Sequence, residues 1–270
     1  MVDRIFDPQR LLIIAGPCSL ESEALCNTVA HVLAEIQTKH KNDVKVVFKT
    51  SFDKANRTDI HSRRGLGLEK SLGIFSTIKQ QYDLPVLTDV HWPQQAAVVA
   101  EVCDVLQVPA FLCRQTDLLE AIAKTGKTVN VKKGQFLSPF DMKFIVEKLH
   151  YFKAKEVWQT DRGTTFGYGN LVVDMRSFPI MKQNNCPTIL DVTHSLQLPG
   201  SGSNTTNGDR KFALPLAKAA LAAGADGLFI ETHPDPSSAW SDKATQLPLA
   251  SLPDFIERCL SIWKVEHLNS

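Results

Sequence analysis

The sequence predicts an α/β fold, a (β/α)₈ TIM barrel formed as one domain over residues 1–270. Three observations predict it. Short apolar runs recur eight times, at intervals of about thirty residues, the length of one strand–crossover–helix unit. The segments between them are long enough for helices. Nearly every run ends in residues able to do chemistry, and a barrel of about 250 residues gathers the carboxyl ends of all its strands on one face.

The runs are, in order, Leu11–Gly16, Val44–Ser51, Pro85–His91, Val105–Ala110, Val129–Gly134, Glu156–Gly163, Thr188–His194 and Gly227–His233. They are rich in Val, Ile and Leu with little polar alternation, the pattern of parallel strands buried on both faces. Helical spacing marks the segments between. Leu25, Val29, Leu33 and Ile36 share one face after the first run. Leu118, Leu119 and Ile122 do so in the fourth helix, and Ile145, Val146 and Leu149 in the fifth. Phe255, Ile256, Cys259, Leu260 and Trp263 do so in the last. Three longer connections follow strands and would project over the barrel mouth: 51–67, 199–210 and 234–248. Connections longer than about 12 residues in compact domains are often lids or binding loops. No repeated sequence or low-complexity tract suggests a solenoid or a linker.

Composition narrows the classes. A net charge of +1 argues against a general nucleic-acid or membrane-surface role, though it permits a local cationic pocket. No apolar stretch approaches the ~18 residues of a membrane-spanning helix. Residues 1–10 are polar, without a secretory signal. The six cysteines are scattered without a Cys-x-x-Cys pair, which reads as reduced thiols in a cytoplasmic protein.

Two clusters stand out at the strand ends. The first is cationic: Lys49 and Lys54 around the second run, Lys132 and Lys133 at the fifth, Arg162 at the sixth, with Arg57 nearby. Lysine ending an apolar strand is costly unless an anion awaits it. Each one alone reads as an ion pair or a snorkelling side chain; converging, they suggest a multiply anionic ligand such as a phosphate ester. The second cluster is Cys18 after run one, His194 ending run seven, Glu231 near the end of run eight and Asp242 on the loop beyond. Strands one, seven and eight are neighbours in a closed barrel, so these four could surround one divalent cation. Singly, Cys18 also fits an inert buried thiol, His194 a hydrogen-bonded imidazole, and Glu231 the partner of a lysine. His91 and His233 stand open as ligands, acid–base groups or outer partners. Gly65-Leu66-Gly67 follows no strand and is no dinucleotide fingerprint. The glycine-rich 163–169 segment fits either a phosphate cradle or a plain loop.

The longest motifs carry a resemblance over essentially the whole chain. They are Phe48-Lys49-Thr50-Ser51-Phe52-Asp53-Lys54-Ala55-Asn56-Arg57, the 109–117 segment Pro-Ala-Phe-Leu-Cys-Arg-Gln-Thr-Asp, Asn130-Val131-Lys132-Lys133-Gly134-Gln135-Phe136, Phe166-Gly167-Tyr168, and Glu231-Thr232-His233-Pro234. In this order they resemble the 3-deoxy-D-manno-octulosonate-8-phosphate synthase family. That resemblance implies condensation of phosphoenolpyruvate with arabinose 5-phosphate and release of phosphate, on a (β/α)₈ barrel that is usually a homotetramer. It implies that Lys54, Lys132 and Arg162 bind phosphoenolpyruvate, with Lys49, Ser51 and Gln107 close by. Asn56 and Arg57 would hold the sugar phosphate, with Thr58 where many relatives have Ser. Asp89 and His91 would move protons or position water. The family's metal-free branch carries Asn at the place of Cys18. Its metal-dependent branch has Cys, His, Glu and Asp, matching Cys18, His194, Glu231 and Asp242, a mixed set that admits Zn, Fe, Mn, Co or Cd. Two alternatives remain. The related synthase that uses erythrose 4-phosphate typically has Lys-Pro-Arg-Thr where this chain has Lys54-Ala55-Asn56-Arg57; the other is a non-catalytic sugar-phosphate-binding barrel.

Overall fold

The computed structural model describes residues 4–57, 59–199 and 207–267. Barrel strands alternate with helices in chain order: β1 (Leu11–Gly16), α1 (Glu23–Lys39), β2 (Val44–Lys49), α2 (Leu68–Tyr82), β3 (Val86–Asp89), α3 (Gln95–Ala100), β4 (Val105–Val108) and α4 (Thr116–Ala123). The second half repeats the rhythm with β5 (Thr128–Lys132), α5 (Met142–Tyr151), β6 (Glu156–Asp161), α6 (Ser177–Lys182), β7 (Thr188–Asp191), α7 (Ala213–Ala222), β8 (Gly227–His233) and α8 (Leu252–His267). The eight strands pair in parallel in sequence order, and β8 returns to β1 with Gly16 opposite Glu231. The barrel is therefore closed, and no strand of the ring leaves an open edge.

Each predicted run contains a strand, but most runs extend past the strand's end. Ser51, His91, Lys133, Arg162 and His194 lie just beyond the last ladder residue.

Period-two alternation divides the strands between two cores. Leu11, Ile13 and Ala15 face the helices, where they meet Cys26, Val29, Leu33 and Ile36 of α1. Leu12 and Ile14 face the barrel axis with Val47, Leu87, Val105, Trp158, Ile189 and Phe229. Ile5 and Phe6 pack against this inner layer. The next inward position is two residues further on. There Val47 is followed by Lys49, Leu87 by Asp89, Val105 by Gln107, Trp158 by Thr160, Ile189 by Asp191 and Phe229 by Glu231. One apolar layer thus carries one buried polar layer, nearer the carboxyl ends of the strands. Gly16 closes the β1 side of that layer. A Cβ there would lie 1.9 Å from the Lys49 carbonyl oxygen, so only glycine permits this approach of β1 to β2.

Candidate active site

The polar layer is a chain of hydrogen bonds around the barrel wall. Lys49 Nζ donates to Glu231 Oε1 at 3.1 Å and to the Cys18 carbonyl at 3.4 Å. Lys54 Nζ donates to Ser51 Oγ at 3.1 Å, and Ser51 donates in turn to Asp89. Gln107 donates to the other oxygen of Asp89, Asn130 donates to Gln107, and Thr160 donates to Asn130. Lys132 donates to Asp191 and lies over the Phe229 ring, 3.2 Å from its centroid. Burying this many charges is unfavourable unless they are paired or await a ligand.

A cavity of about 340 Å³ opens beside this layer. Lys49, Lys54, Lys132 and Arg162 supply its cations, and Asn56, Asp89, His91, Gln107 and His194 also line it. Arg162 is half-buried, and its buried Nε has no partner among the described residues. An unpaired guanidinium N–H in a cationic cavity is a place for an oxyanion. Burial pulls the Lys132 ammonium down to about 8 despite Asp191, with Lys49 and Arg162 adding repulsion. Burial would raise Asp89, but Lys49 and Lys54 hold it well below the usual carboxylate range, so it stays ionised. Burial lowers the His91 imidazole, which favours its neutral, proton-accepting form at neutral pH.

Cys18, His194, Glu231 and Asp242 converge beside the cavity, with one ligand atom from each lying within 4.8 Å of all the others. Barrel closure makes this meeting, since β1 and β8 are hydrogen-bonded neighbours. His194 Nδ1 donates to Asp191 Oδ2 at 2.8 Å, because the carboxylate can only accept. In the neutral ring that leaves the Nε2 lone pair facing Glu231 Oε1 at 3.5 Å. This is the carboxylate–histidine arrangement that orients a ligand nitrogen toward a metal. Glu231 Oε2 is buried and has no partner among the described residues. Burial and the charges of Glu231 and Asp242 push the Cys18 thiol well up. A divalent cation would reverse that balance and bind the thiolate. The donor set fits a metal ion.

Not every predicted site residue reaches the cavity. Arg57 does not line it; its guanidinium donates to Ser241 Oγ at 2.6 Å, to the Trp240 carbonyl at 3.2 Å and to the Arg63 carbonyl at 3.0 Å. Ser51 stands behind Asp89. Thr58 and residues 200–206 lie outside the described residues. His233 pairs with Glu21 at 3.8 Å and donates nothing to the four-residue cluster. The glycine-rich 163–169 segment leads through a short hairpin, in which Thr164–Thr165 pairs with Leu171–Val172, and none of its residues lines the cavity. Gly65 is a packing residue, where a Cβ would meet the Phe52 carbonyl at 2.5 Å.

Asp191 is the functional residue that the sequence reading missed. It accepts from both Lys132 and His194, joining the cationic cavity to the four-residue cluster. An aspartate ending an apolar strand was the available signal. Burial would raise its carboxyl, but His194 and Lys132 hold it well below the ordinary range. Asp191→Asn is expected to destabilise the fold by about 3–5 kcal/mol, the usual cost of breaking a buried ion pair on one side. Urea unfolding checks this, and a change below about 1 kcal/mol would remove Asp191 from the centre of the network.

The chain belongs to the DAHP synthetase I family, whose family model matches residues 5–265. Among curated relatives, it is 50% identical over 254 residues to the 2-dehydro-3-deoxyphosphooctonate aldolase of Desulfotalea psychrophila, covering 94% of this chain and 90% of that protein. It is 49% identical to the Fusobacterium nucleatum protein of the same name, over 95% of this chain and 92% of the relative. The Brucella ovis protein of that name is also 49% identical, over 94% and 91%. The resemblance drawn from the motifs and the names of these relatives agree.

Proposed function

We propose that this chain is a transferase that condenses phosphoenolpyruvate with D-arabinose 5-phosphate and water, giving 3-deoxy-D-manno-octulosonate 8-phosphate and phosphate. The observation that carries the reading is a cationic cavity joined through Asp191 to a four-donor metal cluster. The names of the relatives support it, and so does Lys54-Ala55-Asn56-Arg57 in place of the Lys-Pro-Arg-Thr typical of the erythrose 4-phosphate enzymes.

In this reading Lys132, Arg162, Lys49 and Lys54 hold the carboxylate and phosphate of phosphoenolpyruvate, with Gln107 and Ser51 fixing the wall behind. The methylene carbon attacks the sugar aldehyde, the neighbouring carbon takes up water, and phosphate leaves by carbon–oxygen cleavage. Orienting the two anions side by side can supply about 7–11 kcal/mol of the barrier lowering. Asp89 stays ionised and so accepts a hydrogen bond from the attacking water, while neutral His91 can take its proton. Cys18, His194, Glu231 and Asp242 would hold a divalent ion, which supplies Lewis-acid polarisation of an oxygen when bound. Exposed Phe136, Phe140, Phe144 and Tyr151 on the segment around α5 support self-association, in keeping with a homotetramer. Among the described residues no helix is long and apolar enough to cross a membrane, and the six unpaired, buried cysteines suit a reducing cytoplasm. One catalytic unit over residues 1–270 accounts for all these parts.

Asn56 and Arg57 are assigned to the sugar phosphate. Arg57→Ala is expected to raise KM for arabinose 5-phosphate at least about 10-fold, the cost of one lost charged hydrogen bond, and to change KM for phosphoenolpyruvate far less. Equal changes in both would misplace the residue. The function itself is tested by phosphate release from phosphoenolpyruvate with each sugar in turn. Turnover with arabinose 5-phosphate is the expected result. Preference for erythrose 4-phosphate, or tight sugar-phosphate binding without turnover, would overturn it.

A further inference from the structure

We propose that Ser241 and Gln197 are positioning residues that tie the two arginines Arg57 and Arg162 to the metal ligand Asp242, so that anion binding and metal binding are energetically linked. The proposal rests on the metal-site reading above.

Asp242 sits on the loop after β8 with φ of +50°, a left-handed conformation that aspartate tolerates better than most residues. The backbone around it is held by its own turn: the Thr245 and Gln246 N–H groups both donate to the Asp242 carbonyl at 3.0 Å. Its carboxylate is held separately. Oδ1 accepts from Gln197 Nε2 at 2.6 Å, and Oδ2 accepts from Ser241 Oγ at 2.6 Å and from Cys18 Sγ at 3.0 Å.

Each of the two polar donors is itself held by an arginine. Arg57 Nη1 donates to Ser241 Oγ at 2.6 Å, and Arg162 Nη2 donates to Gln197 Oε1 at 2.5 Å. The directions are forced. A guanidinium can only donate and a carboxylate can only accept, so the serine hydroxyl must point its proton at Asp242. The glutamine amide must likewise turn its oxygen to Arg162 and its nitrogen to Asp242. Each relay is a short cooperative chain in a partly buried setting, where a hydrogen bond received strengthens the one given.

The geometry has a consequence at both ends. Arg162 lines the anion cavity, and Arg57 lies on the β2 loop between Asn56 and the chain that leads to Arg63. The same loop is clasped to the Asp242 loop a second time, by Arg63 stacked over the Trp240 ring at 4.7 Å. An anion that draws either guanidinium toward itself changes the donor that orients Asp242. A cation that fixes Asp242 fixes Ser241 and Gln197, and so pre-sets the arginines. Such coupling must be reciprocal.

The test titrates the chelated full-length protein with Co(II), following its visible absorption, with and without phosphoenolpyruvate and with and without inorganic phosphate. For the unsubstituted chain we expect Co(II) binding whose dissociation constant shifts at least about fivefold when phosphoenolpyruvate is present, within the usual range for coupled sites. Ser241→Ala is expected to weaken Co(II) binding about 10–100-fold, as loss of an outer partner typically does, and to shrink the anion-dependent shift. Ser241→Thr, which keeps the hydroxyl, restores both. Gln197→Ala tests the second arm and has the same expected pattern. If the unsubstituted chain binds no Co(II), the metal-site reading fails and the relay with it. If it binds Co(II) but Ser241→Ala and Gln197→Ala leave the shift intact, the relay alone is wrong.

Discussion

Cys18→Ala is expected to lower metal-supported turnover by more than about 100-fold, exceeding the 10–100-fold typical of an outer partner because a direct donor is lost. Phosphoenolpyruvate binding should survive in good part. Cys18 does not line the cavity, whereas Lys49, Lys54, Lys132 and Arg162 do and remain in place. The thiol is buried and held protonated by its surroundings, with Glu231 and Asp242 beside it. Alanine removes the only sulfur from the cluster and leaves two carboxylates whose mutual repulsion no thiolate-bound cation relieves. The check pairs metal content after dialysis with phosphate release before and after chelation, and adds calorimetry with phosphoenolpyruvate. A Cys18→Ala protein that keeps full activity after chelation would remove the metal from the proposed chemistry.

The affinity for phosphoenolpyruvate should fall about tenfold per pH unit above pH 8, and the titration of Lys132 should add little pH dependence below it. The sign follows from the position of Lys132. In the free protein, burial together with Lys49 and Arg162 brings its ammonium down to about 8, with Asp191 opposing. A bound anion offsets the two cations and raises the group again. Above pH 8 the complex therefore holds a proton that the free protein lacks, and binding must take one up. Calorimetry in buffers of different ionisation enthalpy measures that proton directly. Lys132→Arg keeps the charge at every accessible pH, so its binding should lose this slope. A slope unchanged in Lys132→Arg would assign it to another group.

Much of the fold was legible because it is written in local periodicity. The run Leu11–Gly16 is the strand, residue for residue, and the spacing Val29, Leu33, Ile36 is the buried face of α1. Ends were less legible, as with Lys133 and Gly134, which extend the apolar pattern but leave the ladder. The convergence of Cys18, His194, Glu231 and Asp242 could be read because barrel topology makes β1, β7 and β8 neighbours. Partners within the site were not legible. Asp191 meets Lys132 across 59 residues of sequence, and Gln197 meets Asp242 across 45. Hydrogen-bond partners at that separation leave no local pattern. Arg57 shows the same limit: its residue type announces an anion, while its observed acceptors are a serine and two carbonyls on loops that periodicity does not position.

The seam between β8 and β1 bears on how the protein is made. Of the four donors, Cys18 leaves the ribosome first and Glu231 and Asp242 leave last. A nascent chain ending before β8 would hold only a sulfur and an imidazole, with no wall to bring them together. If the cluster holds an ion as proposed, its capture comes after the ring has shut, and metal content would report which molecules have finished folding.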